Sequence, residues 1–196
     1  MKIVIIGAGS DSFGRSQLVD ILSAPELNRA DITLTLVDIS EQALTIMHKA
    51  ALRMAEHFGC AMKIEATTDR QAALPGADFI VVAVCRKRWE LWEQDYRIPM
   101  SHGFHHVLGE NGGPGALFHT LRSLELIIPI CRDIETLCPD AWVLNFTNPE
   151  ARVLHAINHL TNVKAGGFCH GVFYAVKQLA DYLGRPEDSL DVTSAG

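Results

Sequence analysis

The stretch Lys2–Ile6 is a β-branched apolar run that breaks off into Gly7-Ala8-Gly9. No other feature of the chain restricts its fold as strongly, because a buried strand that meets a tight glycine turn must feed a helix packed back onto it. Phe13–Leu22 supplies that helix. A second strand, Ile32–Val37, ends at Asp38, and Ser40 caps a long helix over Glu41–Phe58 that Gly59 stops. Met62–Ala66 is a weaker strand. Leu74-Pro75-Gly76 then turns the chain into Phe79–Val84, apolar throughout, as a central parallel strand is.

The alternation continues. Trp89–Arg97 is helical before Pro99, and Ser101–Gly115, rich in Gly and His, is a loop. A helix from Ala116 to Leu137 is kinked by Pro129. Strand Trp142–Phe146, a helix to Leu160, strand Lys164–Phe168 and a helix over Val172–Leu183 complete the series. Parallel strands need crossovers. The expected fold is therefore α/β: a Rossmann-like, doubly wound parallel sheet with helices on both faces and strand order 3-2-1-4-5-6. Residues 1–184 form this domain, and residues 185–196 begin a second region in which Asp191–Ala195 reads as a strand.

Composition narrows the partners. A formal charge of −6 leaves no general attraction for nucleic acid or anionic membrane. No segment stays apolar for the roughly 20 residues a membrane span needs. Cys60, Cys85, Cys131, Cys138 and Cys169 are odd in number and contain no CxxC pair, which suits free thiols in a reducing cytoplasm.

The strand–Gly7-x-Gly9–helix arrangement sets backbone N–H groups, including that of Ser10, and a positive helix terminus against a pyrophosphate. Ser12 stands at the third glycine position of the fingerprint, so the match is imperfect. Asp38 can accept hydrogen bonds from ribose hydroxyls, and its charge repels a 2′-phosphate, so NAD is favoured over NADP. Asn145-Phe146-Thr147-Asn148-Pro149 lies at the C-terminal end of a strand, the edge where open α/β sheets bind ligands. Its two amides can hold the nicotinamide ribose (Asn145) or sugar hydroxyls (Asn148), although turn chemistry before a proline also accounts for Asn148. Phe168-Cys169-His170-Gly171 falls on the same edge. Thiolate and imidazole both suit a borderline divalent metal, while a buried structural cysteine is the plainer alternative. The glycine-rich loop Gly109–Gly115 runs into Leu121-Arg122-Ser123, and Arg86, Lys87 and Arg88 form the one compact basic run.

These pieces together resemble family 4 of the glycoside hydrolases. The resemblance covers essentially the whole chain and rests on Ile6–Ser10, Gly112–Arg122, Cys138-Pro139-Asp140-Ala141-Trp142, Asn145–Pro149 and Gly167–Gly171. It implies an NAD- and Mn²⁺-dependent glycosidase. In that mechanism the sugar is oxidised at C3, a base takes the C2 proton, the glycosidic bond breaks by elimination, water adds, and the hydride returns. Cys169 would be one metal ligand. Asn148 would hold the sugar, and His170 would bind substrate or transfer a proton. Phospho-sugar members carry Asp after the cysteine, so His170 points to the branch acting on unphosphorylated sugars. An α-galacturonide fits first, with Arg88 gripping its carboxylate, and α-galactosides and α-glucosides follow closely. The resemblance also implies a catalytic half beyond Gly196, containing a further metal-binding histidine and the general base, and a homo-oligomer at full length. Two other readings stand beside it. One is a lactate/malate-type NAD dehydrogenase, which wants a paired Asp and His that the spacing does not reveal. The other is a non-catalytic NAD-binding module.

Overall fold

The computed structural model describes residues 1–11 and 13–193. Its six strands are β1 (Lys2–Ile6), β2 (Thr33–Val37), β3 (Lys63–Thr67), β4 (Phe79–Val82), β5 (Trp142–Asn145) and β6 (Lys164–Gly167). They form one sheet in the order β3-β2-β1-β4-β5-β6, and every pairing is parallel. The strand order reverses between β1 and β4, and the crevice there is the ligand-binding position of a doubly wound fold.

Successive strand residues face opposite sides of the sheet. Ile3, Ile5, Leu34, Leu36 and Val81 pack on one side with Leu18 and Leu22 of α1 (Phe13–Ser23) and Leu44, Met47 and Ala51 of α2 (Glu41–Phe58). Val4, Ile6, Ile80, Val82 and Val143 pack on the other. Their partners there include Ala73 of α3 (Arg70–Ala73), Ile127, Ile130 and Ile134 of α5 (Gly113–Leu137), and Val153 and Ile157 of α6 (Glu150–Leu160). Helices thus cover both faces. The cap on α2 is as the sequence indicates: Ser40 Oγ accepts from Ala43 N–H, and Gly59 takes the left-handed conformation at φ 62°.

Three boundaries differ from expectation by two residues or more, each for a local reason. β4 ends at Val82 rather than Val84, because the Val84 N–H leaves the ladder and donates to Thr147 Oγ1 at 3.0 Å. α4 (Arg88–Ser101) runs past Pro99. In its last turn the proline forfeits only the bond to the Asp95 carbonyl, and the backbone of Gly109 and Gly115 closes on that carbonyl. α5 starts at Gly113 rather than Ala116, since Pro114 is tolerated in a first turn, and it continues as one element through Pro129.

α7 (Gly171–Leu183) is held differently from the other long helices. Only Ala180 is buried, its main neighbour is the 3₁₀ turn Glu187–Ser189, and Phe173 and Tyr182 stand exposed. The strand expected at Asp191–Ala195 is not formed over residues 191–193. Ser194 and Ala195 lie outside the described residues, as does Ser12. Among the described residues no helix is long and apolar enough to cross a membrane.

Candidate functional site

A cleft of about 490 Å³ opens along the C-terminal ends of β2, β1, β4 and β5. At one end are Asp38, Ile39, Thr68 and Arg70. The glycine turn and Ser10 lie against it, and Arg88, Glu110, His119 and Asn148 also line it.

The turn packs its backbone directly against neighbouring parts of the fold at the edge of this cleft. Gly7 has φ 90°, and a Cβ there would run into the Ala83 carbonyl. Gly9 N–H donates to Asp38 Oδ2 at 2.8 Å, while Asp38 Oδ1 accepts from Ser40 N–H at 2.9 Å. Asp38 therefore ties the turn to the start of α2, and each of its oxygens keeps a lone pair for a further donor. A Cβ on Gly9 would lie 2.7 Å from Asp38 Oδ2. Sequence reasoning missed Gly14. Its position in α1 brings the helix backbone against the Ala8 carbonyl, 2.2 Å from where a Cβ would be. That is the close helix–strand approach for which the fingerprint uses its third glycine. A glycine in the first turn of a helix was the available signal.

Asn145 and Asn148 part company. Asn145 is fully buried. Its Nδ2 donates to the Thr147 carbonyl and its Oδ1 accepts from Thr147 N–H, both at 3.2 Å, so its amide shapes the turn and it is absent from the lining of the cleft. Asn148 lines the cleft. Its Nδ2 donates to Glu110 Oε1 at 2.9 Å, and its backbone carbonyl accepts from Ser123 Oγ at 2.8 Å. Glu110, unnoticed in the sequence beyond its glycine-rich loop, thereby fixes which atom Asn148 presents.

The basic run splits as well. Arg86 pairs with Glu125 at 3.3 Å and Lys87 with Glu90 at 3.7 Å, both exposed. Arg88 meets no carboxylate among the described residues. It lies 5.3 Å and 5.7 Å from the rings of Trp89 and Trp92 and lines the cleft. Beside it Cys85 has an exposed side chain, yet partial desolvation still pushes its thiol up, against the pull of Arg88.

Behind these residues is the Asp–His pair that the spacing concealed. Asp95 on α4 is buried, His119 Nδ1 on α5 lies 3.2 Å from its Oδ2, and Arg122 pairs with the same oxygen. The two elements are joined by a loop whose length no periodicity reveals.

Cys169 and His170 sit where β6 passes into α7. Both are exposed. The Cys169 sulfur accepts from Gly171 N–H at 3.4 Å. The His170 ring lies 6.1 Å from Phe13 and 5.0 Å from Tyr174, outside the lining of the cleft. No group of three or more His, Cys, Asp or Glu able to hold a metal occurs among the described residues. The five cysteines are free thiols.

Sheet order, glycine turn and an acidic residue closing β2 together define a dinucleotide-binding domain of the Rossmann class. Comparison with known proteins narrows the class. The profile of the family 4 glycosyl hydrolases matches residues 2–185, and the chain belongs to that family. An α-glucosidase of Erwinia rhapontici is 36% identical over 197 residues, spanning 100% of this chain and 43% of that enzyme. An α-galacturonidase of Lachnoclostridium phytofermentans is 30% identical over 183 residues, 91% of this chain and 38% of that enzyme. Among solved structures, a 6-phospho-α-glucosidase from gut microorganisms, in complex with NAD and Mn²⁺, superposes with a TM-score of 0.81 at 22% identity, covering 97% of this chain and 43% of that one. The chain thus spans less than half the length of these relatives.

Proposed function

We propose that this chain is the NAD-binding portion of an NAD- and Mn²⁺-dependent glycosidase acting on an unphosphorylated α-glycoside. The observation that carries the NAD reading is the cradle at Gly9, where a Cβ would overlap Asp38 and the carboxylate closes on the turn's own N–H. Ile39, almost fully exposed, offers a platform for a purine, and Asp38 suits a 2′-hydroxyl. NAD supplies reversible hydride acceptance at C3 of the sugar.

The chain's own residues bind and orient. Because Asn148 Nδ2 is spent on Glu110, its Oδ1 is left to accept from a sugar hydroxyl. Arg88, free of carboxylates, provides two parallel donors for a uronate or for hydroxyls. His170 at the rim can hold substrate or move a proton. The metal fits this chain only in part. Cys169 is a single exposed donor, and one thiolate does not hold Mn²⁺. Family membership favours this reading over a dehydrogenase or a non-catalytic module. Arg88, which lines the cleft, suggests a uronide, and neutral α-glycosides stand beside it. Residues 185–196 are read as the entry to a second region, and the full-length enzyme as a cytoplasmic homo-oligomer.

The test combines calorimetry of this chain with NAD and a panel of aryl glycosides assayed with full-length enzyme, NAD and Mn²⁺ under reducing conditions. Binding of NAD and turnover of neutral α-glycosides or α-uronides is the expected result. Turnover of 6-phosphoglycosides alone refutes the substrate class.

A further inference from the structure

His119 lines the cleft, and the proposed function gives it no role. It is 7% exposed and held at Nδ1 by Asp95, itself 5% exposed. Asp95, paired with Arg122, is a carboxylate and only accepts, so the proton of the neutral ring belongs on Nδ1 and Nε2 carries a lone pair. Among the described residues that second nitrogen has no hydrogen-bond partner, and the ring lines the cleft. A histidine serving only the core is satisfied or sealed at both nitrogens. Here a buried ion cluster pins one nitrogen and leaves the other as an oriented acceptor.

We propose that His119 is a specificity-determining residue whose Nε2 accepts a hydrogen bond from an uncharged donor of the bound ligand. The inference rests on the cleft taking NAD and a sugar. Two groups carry that chemistry, a sugar hydroxyl and the carboxamide NH₂ of the nicotinamide ring. His119 and Arg88 thus place an imidazole and a guanidinium at different points of the cleft wall.

The test uses two variants. His119→Asn keeps a polar group near Asp95 and removes the outer nitrogen, while His119→Gln returns a polar atom at about the reach of Nε2. In one arm this chain is titrated with NAD and with 3-acetylpyridine adenine dinucleotide, which has a methyl ketone in place of the carboxamide. In the other, full-length enzyme is assayed on an aryl α-glycoside and on its 4-deoxy and 6-deoxy analogues. The wild type should disfavour one donor-lacking analogue by roughly three- to tenfold, the scale of a single neutral hydrogen bond. His119→Asn should erase that discrimination, and His119→Gln should restore part of it. Erasure in the first arm assigns the carboxamide, and in the second the hydroxyl. Wild type that binds NAD while His119→Asn leaves both discriminations intact overturns the proposal alone. Wild type that binds no NAD overturns the reading of the cleft, and this inference with it.

Discussion

Replacing Gly14 by alanine sets two effects against each other. Inside a helix, alanine is favoured over glycine by about 1 kcal/mol, so an ordinary site would be stabilised. Here the new Cβ would lie 2.2 Å from the Ala8 oxygen, whereas ordinary contact begins at 3.4 Å. The turn and α1 must therefore separate by about 1.2 Å, and the obstacle is backbone, which cannot rotate away. Overpacking of this kind costs about 1–3 kcal/mol, and a backbone obstacle puts it at the upper end. The net expectation is a loss of about 1–2 kcal/mol, which for a chain of this size lowers the melting temperature by about 2–8 °C. Because Ala8 stands between the two cradle glycines, NAD affinity should fall with it. Thermal melts and calorimetry of Gly14→Ala are the assay. Gly171→Ala is the control, since its Cβ would meet only the Cys169 sulfur at 3.5 Å. A Gly14→Ala protein that melts higher than wild type and binds NAD unchanged refutes the reasoning.

Asp38→Asn should weaken NAD binding and narrow the preference over NADP; a preference that stays as wide by calorimetry would detach it from Asp38. Cys169→Ser in full-length enzyme should lower metal content, read by elemental analysis, together with activity, and unchanged metal content and activity would remove Cys169 from the ligand set. Burial pushes the Cys131 thiol from 9.0 up to about 12. Thiolate formation in the unfolded chain then makes its contribution to stability full below pH 9 and lost progressively toward pH 12. In the native protein iodoacetamide should alkylate exposed Cys85 and Cys169 and spare Cys131 until denaturant is added, and equal labelling of Cys131 would contradict its burial.

Much of the sheet was legible because period and punctuation agree there. Lys2–Ile6 meets glycines, Ser40 and Gly59 bracket α2, and Phe79–Val82 is apolar without interruption. The errors have a common physical origin in tertiary partners that replace a local hydrogen bond. Thr147 takes the Val84 N–H, and a proline in a last turn or first turn costs a helix little. In the site, the glycine turn and Asp38 could be located because their chemistry is local to one strand–turn–helix unit. Glu110, Asp95 and His119 could not, since each gains its meaning from a residue 24 to 38 positions away. Asn145 carried the same polar signal as Asn148, and nothing in the sequence says which of two amides turns inward.

The loose seating of α7 bears on how this enzyme assembles. A helix of 13 residues is marginal in water when tertiary packing contributes little. Its amides should therefore exchange with deuterium well before those of α2 or α5. Cys169 and His170 lie at its N-terminus, so on the proposed reading the metal-side donors would ride on a helix with a single buried residue. Any contact that covers Phe173 and Tyr182, both exposed here, must first bear the entropy of ordering this helix. If Cys169 is the ligand proposed above, metal loading should then depend on how well this helix is ordered, and its affinity should rise with any contact that orders it.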